Sequence, residues 1–216
     1  MHNLNWIGVG NGLRTVLLLG AHCDDIEIGC GASVLRLVRE IPDLEVHWVV
    51  FSSDEIRREE AHAGAKRFLS ECRRATVTVK EFRNSFFPYV ATEIKEYFET
   101  LKRISPQLIF THYARDWHQD HRLLSELTWS TFRNHLILEY EIPKYDGDLG
   151  SPNFFVSVDR ATCNAKIAHV MEAFVSQKEK QWFSEETFRA MLRLRGIESN
   201  SPSGLAEAFY CRKVVV

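Results

Sequence analysis

The sequence predicts an α/β fold with a mostly parallel sheet. Short apolar or β-branched segments alternate along the chain with segments whose apolar residues recur at helical spacing, and turn residues separate the two kinds. Strands and helices that alternate in this way pack as a parallel sheet covered by helices, with right-handed crossovers. A chain of 216 residues is long enough for one such domain and short for two. Because no linker or repeat divides it, we predict a single domain over residues 1–216.

Four buried strands are predicted in the first half of the chain, each short and bounded by turn residues. These strands are Thr15–Leu19, Glu45–Phe51, Thr76–Phe82 and Gln107–Thr111. Helices are predicted between them because apolar residues recur every three or four positions, as Leu35 and Val38 do. The helices are Ala32–Arg39, Glu55–Glu71 and Val90–Ile104. This repeated order of strand and helix is the basis for the parallel sheet.

The second half of the chain is less regular. Helices are predicted over Leu123–Arg133, Ala161–Gln177 and Glu186–Leu194. Strands are predicted over Leu136–Ile142, Phe154–Val158 and Glu207–Val216, the last of them near an edge of the sheet. The segments Arg83–Tyr89 and Pro143–Pro152 are predicted to be loops, and we expect them to set specificity for a ligand.

Composition and charge exclude several classes of protein. Hydrophobic residues make up 45% of the chain and the formal net charge is -2, so no broad basic surface for nucleic acid or anionic membrane is predicted. Residues 1–12 lack a basic segment followed by an apolar one, and no apolar run is long enough to cross a bilayer. We therefore expect neither a signal peptide nor membrane insertion. Five cysteines without a C-x-x-C pair favour reduced thiols and a cytoplasmic location.

Two clusters of histidine and aspartate follow predicted strands. His22, Asp24 and Asp25 come directly after the first strand, and a second cluster, His112–His121, follows the fourth. Open parallel sheets bind ligands beyond the carboxyl ends of their strands, so we expect the two clusters to meet at one edge. Either aspartate alone could cap the next helix, which is the commoner fate of such a residue. Two clusters at strand ends are harder to explain as caps, and we interpret them as a metal site.

The residue types also suit a particular chemistry. Catalytic zinc takes three ligands of the histidine and carboxylate kind and leaves one position open for water. Zinc lowers the pKa of that water to about 7. A nearby carboxylate that does not bind the metal can accept the proton, and a histidine can stabilise the oxyanion or protonate a leaving amine. The pattern therefore favours hydrolysis assisted by a metal ion.

The two clusters resemble motifs of the LmbE-like, or PIG-L, zinc de-N-acetylases. Ala21–Ala32 reads A-H-C-D-D-I-E-I-G-C-G-A and is similar to the first motif, A-H-[PA]-D-D-x-E-x-G-x-G-G, while His118–His121 reads H-Q-D-H where the family has H-P-D-H. Arg57 and Glu60 match an R-x-x-E pair that is common in the family. The resemblance covers nearly the whole chain and is weakest after Glu139. It implies a single LmbE-like deacetylase domain with a Rossmann-like three-layer α/β/α fold.

The resemblance further implies the removal of an N-acetyl group from an amino sugar or sugar conjugate, which releases acetate and a free amine. One zinc ion (Zn2+) per chain would be bound by His22, Asp25 and His121. Asp24 would act as the general base on the activated water. His118 would stabilise the tetrahedral oxyanion and protonate the leaving nitrogen.

The remaining implied roles concern support and substrate. Asp120 would hold the ring of His118 in one orientation. Arg57, Glu60 and Trp117 would position a small N-acetylated sugar. Aromatic residues near the predicted rim could stack on a sugar ring or simply pack against the sheet; they are Phe86, Phe87, Tyr89, Tyr113 and Trp117. Formation of a homo-oligomer is left open.

Several alternatives remain open from the sequence. The sugar could be free, nucleotide-linked or glycosidic, and the metal could be iron, cobalt or manganese. Cys23 replaces a residue that is usually proline or alanine and raises the question of sulfur ligation, while His112 is either a supporting residue of the site or a structural histidine. Two other functions remain, a metal hydrolase of phosphoesters and a non-catalytic sugar- or nucleotide-binding module. The first would need more carboxylates at the rim, and the second would need no general base.

Overall fold

The computed structural model describes residues 12–215. Within that range the strands are β1 (Thr15–Gly20), β2 (Glu45–Val50), β3 (Arg74–Val79), β4 (Leu108–His112), β5 (Leu136–Tyr140), β6 (Phe154–Ser157) and β7 (Ala206–Tyr210). The α-helices are α1 (Asp25–Glu40), α2 (Glu55–Phe68), α3 (Ala91–Leu101), α4 (Gln119–Thr131), α5 (Arg160–Ala173) and α6 (Glu185–Glu198). Short 3-10 turns lie at Phe87–Tyr89, Lys102–Ile104 and Val175–Gln177.

The strands of the described range form one sheet in the order β3-β2-β1-β4-β5-β7-β6. β1 pairs in parallel with β2 and β4, β2 with β3, and β4 with β5, whereas β7 runs antiparallel to β5 and β6. After β1 the chain builds outward through β2 and β3 and then returns to place β4 on the other side of β1. The strand order therefore reverses between β1 and β4, and open α/β sheets bind ligands at the carboxyl ends of such a pair.

Helices cover both faces of this sheet. α1, α2, α5 and α6 contribute to a core that includes Val16 and Leu18 of β1, and α3 and α4 contribute to a second core with Leu17 and Leu19. The division arises because successive side chains of a strand point to opposite faces, and all four side chains are buried. A strand that is apolar on both faces belongs in the interior of such a sandwich. The predicted three-layer α/β/α class is confirmed.

Helix α1 begins seven residues before the predicted start, at Asp25 instead of Ala32. Gly29 and Gly31 hide the helix in the sequence because glycine is a poor helix former. Close packing explains both glycines. A Cβ atom at Gly29 would lie 2.2 Å from the ring of Tyr140 in β5, and one at Gly31 would lie 2.5 Å from a phenylalanine ring of α2. These approaches fix the position of the first turn of α1.

The end of the chain also differs from the prediction. The last strand was expected to run over Glu207–Val216 near an edge, but β7 ends at Tyr210 and lies second from the edge that β6 forms. Residue 216 lies outside the described residues, as do residues 1–11, on which the prediction about a signal peptide depends. No helix in the described part is long and apolar enough to cross a membrane.

Candidate metal centre

The structure brings the two sequence clusters together at the switch point of the sheet. His22 follows the end of β1, and His121 lies in the first turn of α4, beyond the end of β4. The two residues are 99 positions apart, yet His22 Nδ1 lies 3.1 Å from His121 Nε2. The ring centroids of His118 and His121 are 4.6 Å apart, so His118 belongs to the same group. The parallel order of neighbouring strands therefore places the two clusters side by side, as predicted.

One carboxylate oxygen lies at the centre of the group. Asp25 Oδ2 accepts the His22 backbone N–H at 2.6 Å and lies 3.3 Å from the Nδ1 atom of the same histidine. It also lies 3.2 Å from His112 Nε2 and 3.6 Å from His121 Nε2. Three imidazoles thus surround a single buried oxygen.

Two sets of side chains offer ligand atoms within 4.8 Å of one another: His22, His118 and His121, and Asp25, His112 and His121. His121 is common to both sets. The predicted ligands His22, Asp25 and His121 are therefore divided between the two sets, and His112 joins as a neighbour whose place the sequence left open. A carboxylate among imidazoles is the kind of donor set that zinc prefers, so the residues present fit the predicted metal.

Burial and neighbouring charges set the protonation of this group. Burial would lower the pKa of His22, but the carboxylates of Asp25 and Asp120 outweigh it and raise that pKa to about 10. Burial, reinforced by His112, lowers the pKa of His121 to about 3, although Asp25 and Asp116 oppose the shift. Burial would raise the pKa of Asp25, but the surrounding histidines hold it well below its ordinary value. Asp25 is thus ionised, and His121 is neutral with a ring nitrogen able to bind a cation.

Asp24 lies beside this group and has a different partner. Arg57 Nη2 lies 3.0 Å from Asp24 Oδ1, and Arg57 Nη1 donates to Glu60 at 2.7 Å. Glu60 in turn accepts from the backbone N–H of Ser176 at 2.8 Å and from its hydroxyl at 2.7 Å. Asp54 caps the first turn of α2, which delivers Arg57 to this position. Two residues that the resemblance assigns to substrate therefore hold Asp24, and burial raises the pKa of Asp24 despite the guanidinium.

The structure gives Asp120 contacts other than the one that the resemblance implies. Its carboxylate does not contact the ring of His118; it lies 3.3 Å from His22 Nε2 and accepts the N–H groups of Ser85 at 2.7 Å and Phe87 at 3.1 Å. Only the backbone N–H of Asp120 meets His118, whose Nδ1 accepts it at 3.2 Å. Asp120 therefore orients His22 and anchors the turn that carries Phe87. The signal for this contact is absent from the sequence because that turn comes from a distant loop.

Asp116 and Lys144 are residues of this centre to which sequence reasoning assigned no role. Asp116 Oδ2 lies 2.9 Å from His121 Nδ1 and 3.0 Å from Lys144 Nζ, and it is buried. Lys144 also donates to Asp148 at 2.5 Å, and Asp148 accepts the backbone N–H of Trp117 at 2.7 Å. Burial would raise the pKa of Asp116, but His121, His112 and Lys144 lower it. The loop predicted over Pro143–Pro152 is thus tied through one carboxylate to a candidate ligand.

Other open questions from the sequence are resolved by packing. Cys23 is buried, its thiol donates to the Ser52 carbonyl at 3.2 Å, and burial raises its pKa to about 12, so it remains a thiol. It belongs to neither set of candidate ligands. His112 accepts the Ala21 N–H through Nε2 at 2.9 Å and lies 3.2 Å from the Tyr140 hydroxyl. His112 therefore fixes the end of β1 as well as contacting Asp25.

The predicted aromatic residues divide into two groups. Phe87 is buried, with its ring 6.2 Å from His22, and Tyr113 stacks on Tyr210 at 3.7 Å. Trp117 and Tyr89 are largely exposed, at 70% and 78%. The second group is the most exposed to a ligand in solution, whereas Phe86 and Tyr113 are half-buried.

The fold and this site define an α/β protein with a His/Asp centre at the switch point of its sheet. Over residues 17–132 the chain matches the PIG-L family, described as GlcNAc-PI de-N-acetylase. The matched segment is more than half of the chain, and the protein belongs to the PIG-L family.

Solved structures share the whole fold at low identity. A conserved protein from Thermus thermophilus is 21% identical, with a TM-score of 0.76 over 94% of this chain and 96% of that one. The N,N'-diacetylchitobiose deacetylase from Pyrococcus horikoshii is 19% identical, with a TM-score of 0.71 over 92% and 84%. The 4-carboxy-2-hydroxymuconate hydratase GalB from Pseudomonas putida is 15% identical, with a TM-score of 0.75 over 94% and 98%. Because one scaffold carries a deacetylase and a hydratase, function has to be argued from the site.

Proposed function

We propose that the protein is a zinc-dependent hydrolase that removes the N-acetyl group of an amino sugar or sugar conjugate and releases acetate and a free amine. The observation that carries the proposal is the arrangement around Asp25, whose Oδ2 lies within 3.6 Å of three imidazoles while the carboxylate of Asp24 beside it pairs with Arg57. This arrangement supports a cation-binding role for Asp25 and a proton-transfer role for Asp24. Membership of the PIG-L family and the shared fold of a diacetylchitobiose deacetylase support the same reaction.

We assign the metal to His22, Asp25 and His121. When bound, zinc would polarise the acetyl carbonyl and lower the pKa of a water molecule that it binds. Around it, Asp116 fixes the ring of His121 through Nδ1 and Asp120 fixes that of His22 through Nε2. Hydrogen bonds of this kind hold ligand histidines in one tautomer and orientation.

Asp24 is the proposed general base. Arg57 binds its Oδ1 atom, which leaves Oδ2 available to accept a proton from the attacking water. Burial raises the pKa of Asp24, and a higher pKa makes a carboxylate a better proton acceptor. Arg57 holds the base in position, Glu60 holds Arg57, and the backbone N–H of Ser176 donates to Glu60.

His118 is the proposed group that stabilises the oxyanion and protonates the amine. Its ring packs edge-on against His22, at 4.8 Å between centroids, and its Nδ1 accepts the Asp120 N–H. With Nδ1 occupied as an acceptor, the neutral ring carries its proton on Nε2. That N–H can donate to a developing oxyanion, and the half-buried ring is open to a substrate.

The proposed substrate is a small N-acetylated sugar, for which the exposed indole of Trp117 offers a stacking face at the rim. We further propose that residues 1–216 form one domain, since a single sheet holds the strands of the described range. A cytoplasmic location agrees with five cysteines that are all free thiols.

Acetate release from a panel of N-acetylated amino sugars, free, nucleotide-linked and glycosidic, tests the proposal. Purified protein is loaded with zinc, and Asp24→Asn serves as the control because the amide keeps the shape and cannot accept the proton. We expect release by the native protein and about 10²–10⁴-fold less by the variant. Zinc-loaded protein that releases no acetate from any member of the panel would refute the substrate assignment.

A further inference from the structure

A second polar site lies on the outer face of α4, away from the metal centre. A groove of about 660 Å³ lies between this helix and the segment that follows β7. We call it the α4 groove; its walls include Arg122, Ser125, Glu126, Trp129, Arg133 and Arg212. Residues 122, 125, 126 and 129 recur at helical spacing and therefore share one face of α4. His121 points instead to Asp116 and the metal centre.

The charges of the α4 groove are not balanced. Arg122, Arg133 and Arg212 line it with one carboxylate, Glu126. Lys213 and Glu139, which both contact Trp129, add opposite charges that cancel, so the local charge is two positive units. Within residues 12–215 none of these arginines forms an ion pair with a carboxylate. Glu139 lies beside the groove, but its two oxygens already accept from Trp129 Nε1 at 2.5 Å and from the Ala114 N–H at 2.8 Å. The guanidinium groups therefore keep donors for an external acceptor.

Packing holds these arginines in place before any ligand arrives. The Arg212 guanidinium lies 4.5 Å from the ring centroid of Trp129, and Arg133 Nε donates to the Ser130 carbonyl at 3.3 Å. Arg122 donates to the Asp116 carbonyl at 3.2 Å. Guanidinium groups fixed by stacking or backbone contacts lose less freedom on binding than free ones, and their planar donors match a tetrahedral oxyanion.

A buried donor in the wall of the groove completes the observation. Ser125 is fully buried, and its hydroxyl has no hydrogen-bond partner among the described residues. A buried hydroxyl without a partner is costly, and its occurrence in a native fold calls for an acceptor. An oxyanion held by the three arginines would supply one.

We infer that the α4 groove is a binding site for a phosphate group carried by a small soluble molecule. Two negative charges on one compact group match the local charge, which a single carboxylate would not. Arg122 also binds the backbone of the loop that carries Trp117 and His118, so the occupant would contact the outer side of a loop whose inner side faces the metal centre. This site is independent of the reaction proposed above.

Calorimetric titration of the zinc-loaded protein tests the inference, with inorganic phosphate, a hexose phosphate and a nucleoside diphosphate as separate probes at constant ionic strength. We expect saturable binding of at least one probe, and the probe bound most tightly identifies the source of the phosphate. Arg133→Gln combined with Arg212→Gln should weaken it by about tenfold or more, and Ser125→Ala by a smaller factor. The matched control is Arg73→Gln, an exposed arginine before β3 at the opposite edge of the sheet.

Three results would overturn the site. One is the absence of binding by every probe at about 10 mM, a concentration at which even a weak site with a Kd of about 1 mM would be filled. Another is equal binding by the native protein and by the variant with both Arg133→Gln and Arg212→Gln, which would show that the anion binds at another place, such as the metal. The third is equal loss in Arg73→Gln, which would show a diffuse response to net charge. Acetate release is not part of the readout, so failure here leaves the proposed hydrolase untouched.

Discussion

Two of the buried carboxylates at helix α1, Glu207 and Asp25, differ in what neutralises them. In the middle of the helix, Glu207 of β7 accepts the N–H groups of Ala32 at 2.8 Å and Ser33 at 2.7 Å, and Lys166 Nζ donates to it at 2.5 Å. Lys166 also donates to the Ile28 carbonyl at 2.6 Å. The carboxylate thus has a permanent cation from its own chain.

At the start of the same helix, the side chains that pair with Asp25 are all imidazoles. Among the described residues no lysine or arginine forms an ion pair with Asp25, and Arg57 pairs with Asp24 instead. A buried carboxylate that is paired with a lysine of the same chain stabilises the fold, because removal of the lysine leaves an unpaired buried charge. We interpret one that is surrounded by histidines as the binding site of a cation that the chain itself does not supply. We therefore expect Glu207 to serve stability and Asp25 to serve the chemistry of the site. The following substitutions test that difference.

The largest expected effects are at the group of histidines around Asp25. His121→Ala should lose most of the bound zinc, because both candidate ligand sets contain His121. Asp24→Asn should keep the zinc and lose activity by about 10²–10⁴-fold, because it removes only the proton acceptor. Metal analysis of the two purified variants, beside rates of acetate release, makes the test. Equal metal loss in both would show that Asp24 is a ligand and would remove the proposed division of roles.

At the pair formed by Glu207 and Lys166, a substitution should change the stability of the protein instead. Lys166→Met leaves Glu207 buried without its cation, and we expect a loss of about 3–5 kcal/mol in the free energy of unfolding. Urea denaturation of apo protein measures it, with Lys66→Met on the exposed side of α2 as the control. Zinc content per folded molecule should stay the same. If Lys166→Met lost zinc without losing stability, the contrast between the two clusters would fail.

A fourth substitution tests the link between the histidines around Asp25 and the loop beyond β5. Lys144→Met removes a cation 3.0 Å from Asp116, the carboxylate that holds His121. Loss of an outer partner of a ligand histidine weakens metal affinity by about 10–100-fold. Zinc competition with a chromogenic chelator gives the affinity, and Lys144→Arg should retain part of it. An unchanged affinity in Lys144→Met, equal to that of the exposed control Lys102→Met, would show that the loop does not act on the metal.

The smallest effect concerns Glu139, a buried carboxylate whose hydrogen bonds come from neutral donors only. Burial raises its pKa against these bonds, so its contribution to stability is full below the unfolded pKa and falls as pH rises through the folded pKa. Glu139→Gln cannot ionise. The free energy of unfolding of the variant, relative to the native protein, should therefore improve from about pH 4 to about pH 7. Urea titrations across that range measure it, with exposed Glu96→Gln as the control; a flat difference would contradict the assignment.

Much of this arrangement could be predicted from sequence. Alternating strand and helix patterns indicated the layers, and the placement of His22 and His121 after parallel strands predicted that they would meet. These signals are local and periodic, so a single chain displays them. The start of α1 was missed because Gly29 and Gly31 are required by side chains from other elements, which pack closely against them.

The supporting contacts could not be predicted in this way. Asp120 binds His22 instead of His118, and Lys144 reaches Asp116, because loops far apart in the chain come together at the rim. Glu207 lies 175 positions from Ala32, and no spacing rule connects them. Contacts of this kind depend on tertiary packing that local patterns do not encode.

The position of Glu207 has a consequence for where this protein can be cut. The family match ends at Phe132, so a fragment that stops there would carry the candidate ligands and the proposed base, although not Lys144. It would lack β5 and β7, and with them Tyr140 against Gly29 and the acceptor for two N–H groups in the middle of α1. Such a fragment would contain the candidate ligands but not the strands that hold them in position. The smallest piece worth expressing therefore extends through Tyr210.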